Sequence, residues 1–381
     1  MRKIQMVDLQ SQYAEIRQDV DRGIQAVIDS SQFINGTATK EFTAALAKYL
    51  ETPYMVPCAN GTDALQIALM AIGLQPGDEV ITIPFTFVAT VEVVALLKGV
   101  PVFVDIKPDT FTIDPAQISA KITPRTKAII PVHLFGQCSD MEEIMEIGRA
   151  HNIPVIEDNA QAIGATYTMR NGTVLHAGTL GAIGTTSFYP TKNLGAYGDG
   201  GALWTGDEAL YKAMRIICDH GSARKYYYDS IGINSRLDSI QAAILHAKLP
   251  HLNAYNAKRQ AAAAQYDAWL RDVPGVIIPV RNAASTHVFH QYTLRILSGR
   301  DALQEYLRSK EIPSMIYYPV PLHLSDAYAI YGYKPGDFPV SEQMAAEVLS
   351  LPMHTELDAE QIQYICNHIA DFMHKQNTAK A

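Results

Sequence analysis

The sequence predicts an α/β protein with a mostly parallel sheet, followed by a smaller α+β unit. Between about residues 78 and 205, short β-branched runs alternate with longer helix-like segments, the pattern of βαβ units. At 381 residues the chain exceeds the roughly 250–300 at which a single core stops growing, so two units are expected. The composition is 48% apolar, 18% charged and 9% aromatic, which is ordinary globular usage and excludes a disordered or collagen-like chain.

The elements can be read in order. Residues 19–29 and 39–50 read as opening helices, and 62–72 as a third that ends at Gly73. Strands follow at 79–83, 100–105, 127–132, 154–157, 182–188 and 201–205, with helices at 87–98 and 141–151 between them. Residues 237–249 and 252–270 carry long helical periodicity with an Ala-rich middle, and Pro274-Gly275 stops it. A strand at 288–297 and helices at 301–310 and 361–372 complete the reading, and residues 377–381 read as a frayed end. The expected division is a large unit at 1–250 and a small one at 251–381.

Charge and cysteine content narrow the function. The 31 Lys and Arg against 39 Asp and Glu leave a net charge of −8, which argues against nucleic acid as a partner. Cys58, Cys138, Cys218 and Cys366 form no CxxC pair, so neither a metal site nor a disulfide framework is expected, and a reducing cytoplasm fits. Gln5, Asp8 and Gln10 interrupt the start of the chain before any apolar leader forms. The apolar stretch at 88–97 is broken by Glu92 and followed by Lys98, too short to span a membrane.

Three segments carry chemistry. An apolar run, Ile153 to Glu157, leads into Asp158 at the expected C-terminal edge of the sheet, where open parallel sheets bind ligands. Alone, Asp158 would also suit a helix cap. A second run ends at Ser187 and enters the turn Tyr189-Pro190-Thr191-Lys192-Asn193-Leu194-Gly195, followed by Gly198-Asp199-Gly200-Gly201. A lysine on a constrained turn at a sheet edge is what Schiff-base chemistry requires, although a solvated lysine is the commoner fate. Third, Asn60-Gly61-Thr62-Asp63 opens a helix, so free N–H groups and a positive dipole end face outward as a phosphate site or a plain cap. No Gly-Lys-Ser/Thr follows it, and Gly178, Gly181 and Gly184 lack dinucleotide-fingerprint spacing. An anion site, a strand-end carboxylate and a constrained amine together match what pyridoxal phosphate needs.

The chain resembles the DegT/DnrJ/EryC1/StrS family of sugar aminotransferases, fold type I pyridoxal-phosphate enzymes with a mostly parallel seven-stranded sheet. The resemblance rests on NGTDAL (60–65), PFTFVAT (84–90), PVHLFGQ (131–137), EDNAQ (157–161), SFYPTKNLGAYGDGGA (187–202), GINSRLDSIQAA (232–243) and YYPVPLH (317–323). It implies that Lys192 holds the cofactor's aldehyde and acts as acid and base, with Asp158 on the ring nitrogen, Gln161 on the ring hydroxyl and Phe87 stacked on the ring. Gly61, Thr62 and Ser187 would bind phosphate, and Asn234 would reach it from a neighbouring subunit, which implies a homodimer. Lysine rather than histidine at position 192 favours transamination over sugar dehydration.

The resemblance is closest to UDP-2-acetamido-2-deoxy-3-oxo-glucuronate aminotransferases of surface-polysaccharide pathways, carried by segment 220–245 and SLPMH (350–354). It implies L-glutamate as donor and a keto-sugar nucleotide as acceptor. Arg236, Tyr317, Tyr318 and His323 are expected to touch substrate, while His133 and His220 are read as core or surface residues. Arg224, Lys225 and Arg236 could meet an acidic sugar, or could be a glutamate site and a solvated loop. Tyr317-Tyr318-Pro319 stands where that group is expected to carry His-Tyr-Pro, so a dTDP-linked 3-keto-6-deoxyhexose stays open.

Overall fold

The computed structural model describes residues 2–378. Helices α1 (Leu9–Ser30) and α2 (Thr37–Tyr49) precede β1 (Tyr54–Cys58) and α3 (Gly61–Ala71). The βαβ block follows as β2 (Glu79–Thr82), α4 (Ala89–Leu96), β3 (Val100–Phe103), the short α5 (Pro115–Ile118), β4 (Thr126–Ile129), α6 (Met141–His151) and β5 (Ile156–Asp158). A hairpin, β6 (Thr166–Thr168) and β7 (Val174–His176), leads to β8 (Ile183–Ser187), β9 (Gly201–Thr205), α7 (Glu208–Cys218), α8 (Ser239–Lys248) and α9 (Leu252–Leu270). The rest comprises β10 (Val276–Ile277), β11 (Tyr292–Ile296), α10 (Arg300–Ser309), α11 (Pro339–Glu347), β12 (Val348–Leu351) and α12 (Ala359–Thr378).

The main sheet has the order β3-β2-β4-β5-β8-β9-β1, seven strands among the described residues, with β4 and β5 joined by the bridges Ile129↔Val155 and Val132↔Asp158. All its pairings are parallel except those of β9, which runs antiparallel to both β8 and β1. Buried central strands need apolar or bonded side chains on both faces, and all four residues of β2 and all three of β5 are buried. Ile81, Ile83, Ile129 and Val155 anchor one core layer, and Ile67, Val80, Ile156 and Leu203 the other.

A second sheet, β10-β11-β12, is antiparallel and packs with α9, α10 and α12 around Tyr266, Leu294, Leu303 and Ile365. The N-terminal residue Ile4 joins this second core. Helix α1 is ten residues longer at its start than its apolar periodicity predicts, because the Asp8 side chain caps it by accepting from the Ser11 N–H at 3.0 Å. Strand β1, interrupted by Pro57, and helix α7 were not predicted. Pro57 pairs with Ala202 in the antiparallel ladder of the edge strand, where a missing N–H is tolerated. Of the end expected to fray, α12 includes 377–378, and 379–381 lie outside the described residues.

This topology positions the site. Strand β9 is antiparallel to both its neighbours, so β1 is parallel to β8, and the C-terminal ends of β1, β5 and β8 all reach one edge of the sheet. None of the helices among the described residues is long and apolar enough to cross a membrane.

Candidate active site

The strand ends open into a cavity of ≈680 Å³. At its floor, α3 starts directly after β1. Asn60 caps the helix by accepting from the Asp63 N–H at 2.8 Å, which leaves the first-turn amides of Gly61 and Thr62 without intrahelical partners. Only glycine fits at 61, since a Cβ there would lie 2.6 Å from the Ser187 Cβ. Two backbone amides and the hydroxyls of Thr62 and Ser187 thus share one corner at the positive end of a helix dipole, a built anion site.

Asp158 ends β5 and is 5% exposed. The Thr90 hydroxyl donates to one carboxylate oxygen at 2.8 Å and the Ala160 N–H to the other at 3.2 Å, fixing the group at the cavity wall. Gln161 accepts from the Phe135 N–H at 2.8 Å and donates to the Tyr318 hydroxyl at 3.1 Å, which leaves its second amide N–H for a ligand. Burial raises the Tyr318 phenol, keeping it neutral. Phe87 is 54% exposed with its ring centroid 6.4 Å from that of Tyr318. An exposed phenylalanine at a cavity rim is available as a flat stacking surface.

Lys192 lies in the turn after β8. Burial pushes its amine down to about 8, while the nearby Asp158 carboxylate pulls the other way. An amine in that range is partly neutral near physiological pH, the state needed to attack a carbonyl.

The cavity therefore collects Gly61, Thr62, Phe87, Asp158, Gln161, Ser187, Lys192, Tyr317 and Tyr318. Three expected residues are not brought there within this chain. His323 is buried, with its Nε2 3.0 Å from Glu342 and its ring against Phe338, so the expected substrate contact is corrected to a core contact. Arg236 sits in a separate cleft of ≈530 Å³ and pairs with Asp219 at 3.0 Å. Asn234 is exposed beside Asp219. Arg224 and Lys225 lie in an exposed loop against Tyr227 and Tyr226.

Sequence reasoning missed Thr90, Tyr189, His290 and Gln291, although Tyr189, His290 and Gln291 line the cavity and Thr90 anchors Asp158. Thr90 lies inside PFTFVAT, but nothing local signals a partner 68 positions away. His290 comes from the entry to β11, and burial, reinforced by the Lys192 and Arg259 charges, holds its imidazole well below the ordinary range. His133 is a core residue, its Nε2 2.8 Å from Glu157. Among the described residues no group of three His, Cys, Asp or Glu side chains is placed to hold a metal.

Known proteins give the site its context. The chain is 49% identical over 371 residues to the pleiotropic regulatory protein of Geobacillus stearothermophilus, covering 97% of this chain and 98% of that protein. It is 46% identical over 363 residues to the UDP-2-acetamido-2-deoxy-3-oxo-D-glucuronate aminotransferase of Pseudomonas aeruginosa, covering 95% and 98%. A dTDP-3-amino-3,4,6-trideoxy-alpha-D-glucose transaminase of Streptomyces venezuelae is 38% identical over 377 residues, covering 99% and 98%. Among solved structures, Bacillus subtilis NtdA with bound cofactor PMP superposes with a TM-score of 0.87 at 30% identity, covering 97% of this chain and 83% of that one. A family model matches residues 14–370. The chain belongs to the DegT/DnrJ/EryC1/StrS aminotransferase family.

Proposed function

We propose that the chain is a pyridoxal-phosphate aminotransferase that moves an amino group from L-glutamate to the 3-keto group of UDP-2-acetamido-2-deoxy-3-oxo-glucuronate, in the cytoplasm, for surface-polysaccharide synthesis. The reaction class is carried by one observation: Lys192, Asp158 and the Gly61–Ser187 corner meet in a single cavity.

The residues fit the cofactor. The corner that a Cβ on Gly61 would fill takes the phosphate, Asp158 holds the proton of the ring nitrogen, Gln161 offers an N–H to the ring hydroxyl and Phe87 covers the ring. When bound, the cofactor supplies an electron sink for the carbon that gains or loses the amine. The chain supplies the rest. With its amine at about 8, Lys192 is roughly one-tenth neutral at pH 7, enough to take a proton and return it as substrates exchange. Thr90 and the Ala160 N–H keep Asp158 aimed, and Phe87 with Tyr318 limits water at the rim.

A second copy of the chain completes the site. The cavity wall carries Asp63, Asp158 and Asp199, with Lys192 its one lysine or arginine among the described residues. The substrates bring carboxylates and a diphosphate, so further donors are required. Asn234 and Arg236 lie outside the cavity of their own chain, and in a homodimer Asn234 serves the neighbouring one. Mixing Lys192→Ala protein with Asn234→Ala protein should then restore activity that neither has alone; a mixture as inactive as its parts would remove the shared site.

The 46% identical Pseudomonas protein supports the glucuronate substrate, and Arg236 suits its carboxylate. Tyr317 at the expected histidine position, together with the Streptomyces relative, favours the second reading, a dTDP-linked 3-keto-6-deoxyhexose. The near-visible absorption band of the bound cofactor decides between them. L-glutamate should bleach it and the UDP-3-keto-uronate restore it; restoration by the dTDP sugar alone would replace the substrate, and no bleaching would overturn the reaction class. The regulatory name of the Geobacillus relative predicts neither change.

A further inference from the structure

A buried lysine, Lys248, holds the turn that carries Lys192. Lys248, the last residue of α8, is 1% exposed. Its Nζ donates to the Gly195 carbonyl at 2.7 Å and lies 4.7 Å from the centre of the Tyr197 ring. Among the described residues its partners are a carbonyl and an aromatic face, with no carboxylate. A buried ammonium with no counter-charge is costly, and an apolar side chain of similar length would be the cheaper filling. Its position in the fold suggests what it does there.

The turn closes on itself around Lys192. The Lys192 N–H donates to the Tyr189 carbonyl and the Ala196 N–H to the Phe188 carbonyl, each at 2.8 Å. A Cβ on Gly195 would lie 2.3 Å from the Pro190 carbonyl oxygen, so the strap folds back too tightly for any other residue. The Gly195 carbonyl accepts from the Lys248 ammonium, which reaches it from α8. Two further ties flank the contact. The Asn193 amide donates to the Asn256 side chain and the Val288 carbonyl at 2.8 and 2.9 Å, and the Gln241 side chain accepts from the Tyr197 N–H at 2.9 Å. Lys248 and Gln241 both belong to α8, two turns apart, so that helix grips the strap at both its ends.

We propose that Lys248 is a positioning residue for Lys192: bonded to the Gly195 carbonyl and packed on the Tyr197 ring, its ammonium fixes the strap so that the Lys192 amine stands in the cavity near Asp158. Burial lowers the Lys248 amine to about 8, so it is mostly charged at neutral pH, as the contact with the ring requires. The assignment rests on the reading of Lys192 as the reacting amine.

Lys248→Met and Lys248→Gln test it in the holoenzyme and in the cofactor-stripped chain. The methionine fills the volume without a donor; the glutamine keeps a donor without charge. In the holoenzyme, the saturating rate of cofactor bleaching by L-glutamate should fall roughly tenfold or more in Lys248→Met, because small misplacements of a reacting group are that costly. The glutamate concentration at half-saturation should move less than about twofold, and Lys248→Gln should recover part of the rate. In the stripped chain, acetylation of Lys192 by N-hydroxysuccinimide acetate, read by peptide mass mapping, should change rate in Lys248→Met while acetylation of exposed Lys212 does not. A Lys248→Met enzyme with wild-type rate and wild-type Lys192 labelling overturns the proposal. So does a rate loss that only follows a fallen unfolding midpoint. If Lys248→Met does not fold, Lys248→Gln decides by the same readings. Wild-type protein that glutamate fails to bleach would defeat the aminotransferase reading, whereas the labelling measurement on the stripped chain judges Lys248 independently.

Discussion

Glu157 and Asp158 are neighbours on β5, and the two sides of the sheet they face have opposite characters. Glu157 is fully buried, and its carboxylate accepts from His133 Nε2 and the N–H groups of Gly178, Leu180 and Gly181. Every strong acceptor direction on that side is used, so the group is structural. Asp158, one residue on, receives among the described residues only the Thr90 hydroxyl and the Ala160 N–H and keeps a cavity in front of it. Alternation along a strand sends adjacent side chains to opposite faces. A saturated carboxylate supports the fold, and one with acceptor capacity left over is available for chemistry.

Substitutions on the two faces should have opposite consequences. The largest expected effect belongs to the open side: Lys192→Ala should lower glutamate-dependent 2-oxoglutarate formation by roughly four orders of magnitude with the unfolding midpoint little changed. Residual turnover close to wild type would mean that another group does the work. Asp158→Asn and Glu157→Gln should separate next. The first is expected to lose roughly 10²–10³ in turnover and little stability. The second should lose about 2–4 kcal/mol of stability in a urea titration and retain most turnover per folded molecule. The reverse pattern would invert the roles of the two faces.

Gly61→Ala comes third. Its Cβ would meet Ser187, so cofactor release, followed by dialysis and absorbance, should quicken by roughly tenfold, with the apo-protein still folded. The smallest effect is in pH. Because burial holds the Lys192 amine at about 8 against an ordinary 10.5, its acetylation in the cofactor-free chain should rise through a midpoint near 8. Asp158 favours the protonated form, so Asp158→Asn should move that midpoint lower; a move upward would show that the carboxylate does not act on the amine.

Much of the open side was legible in the sequence. Asp158 followed from an apolar run that ends in a carboxylate, Lys192 from its place in a Gly-rich turn after a strand, and Gly61 from a turn that opens a helix. The closed side was less so. The pairing of His133 with Glu157 joins residues 24 positions apart, and the lysine at 248 reads as an ordinary helix C-terminal cation until packing covers it. His323 illustrates the limit: in YYPVPLH it follows the cavity tyrosines closely in sequence, yet the chain folds it back against Glu342 and Phe338.

Periodicity, glycine turns and helix starts are local properties of the chain, and they make the parallel α/β sheet and the residues at its edge readable without any tertiary contact. The tertiary structure alone decided which ionisable groups stay open. Availability of Asp158, the lowered amine of Lys192, the burial of Lys248 and the exclusion of Arg236 from the cavity all depend on how much water and how many donors distant segments leave around each group, and desolvation has no signature in local sequence.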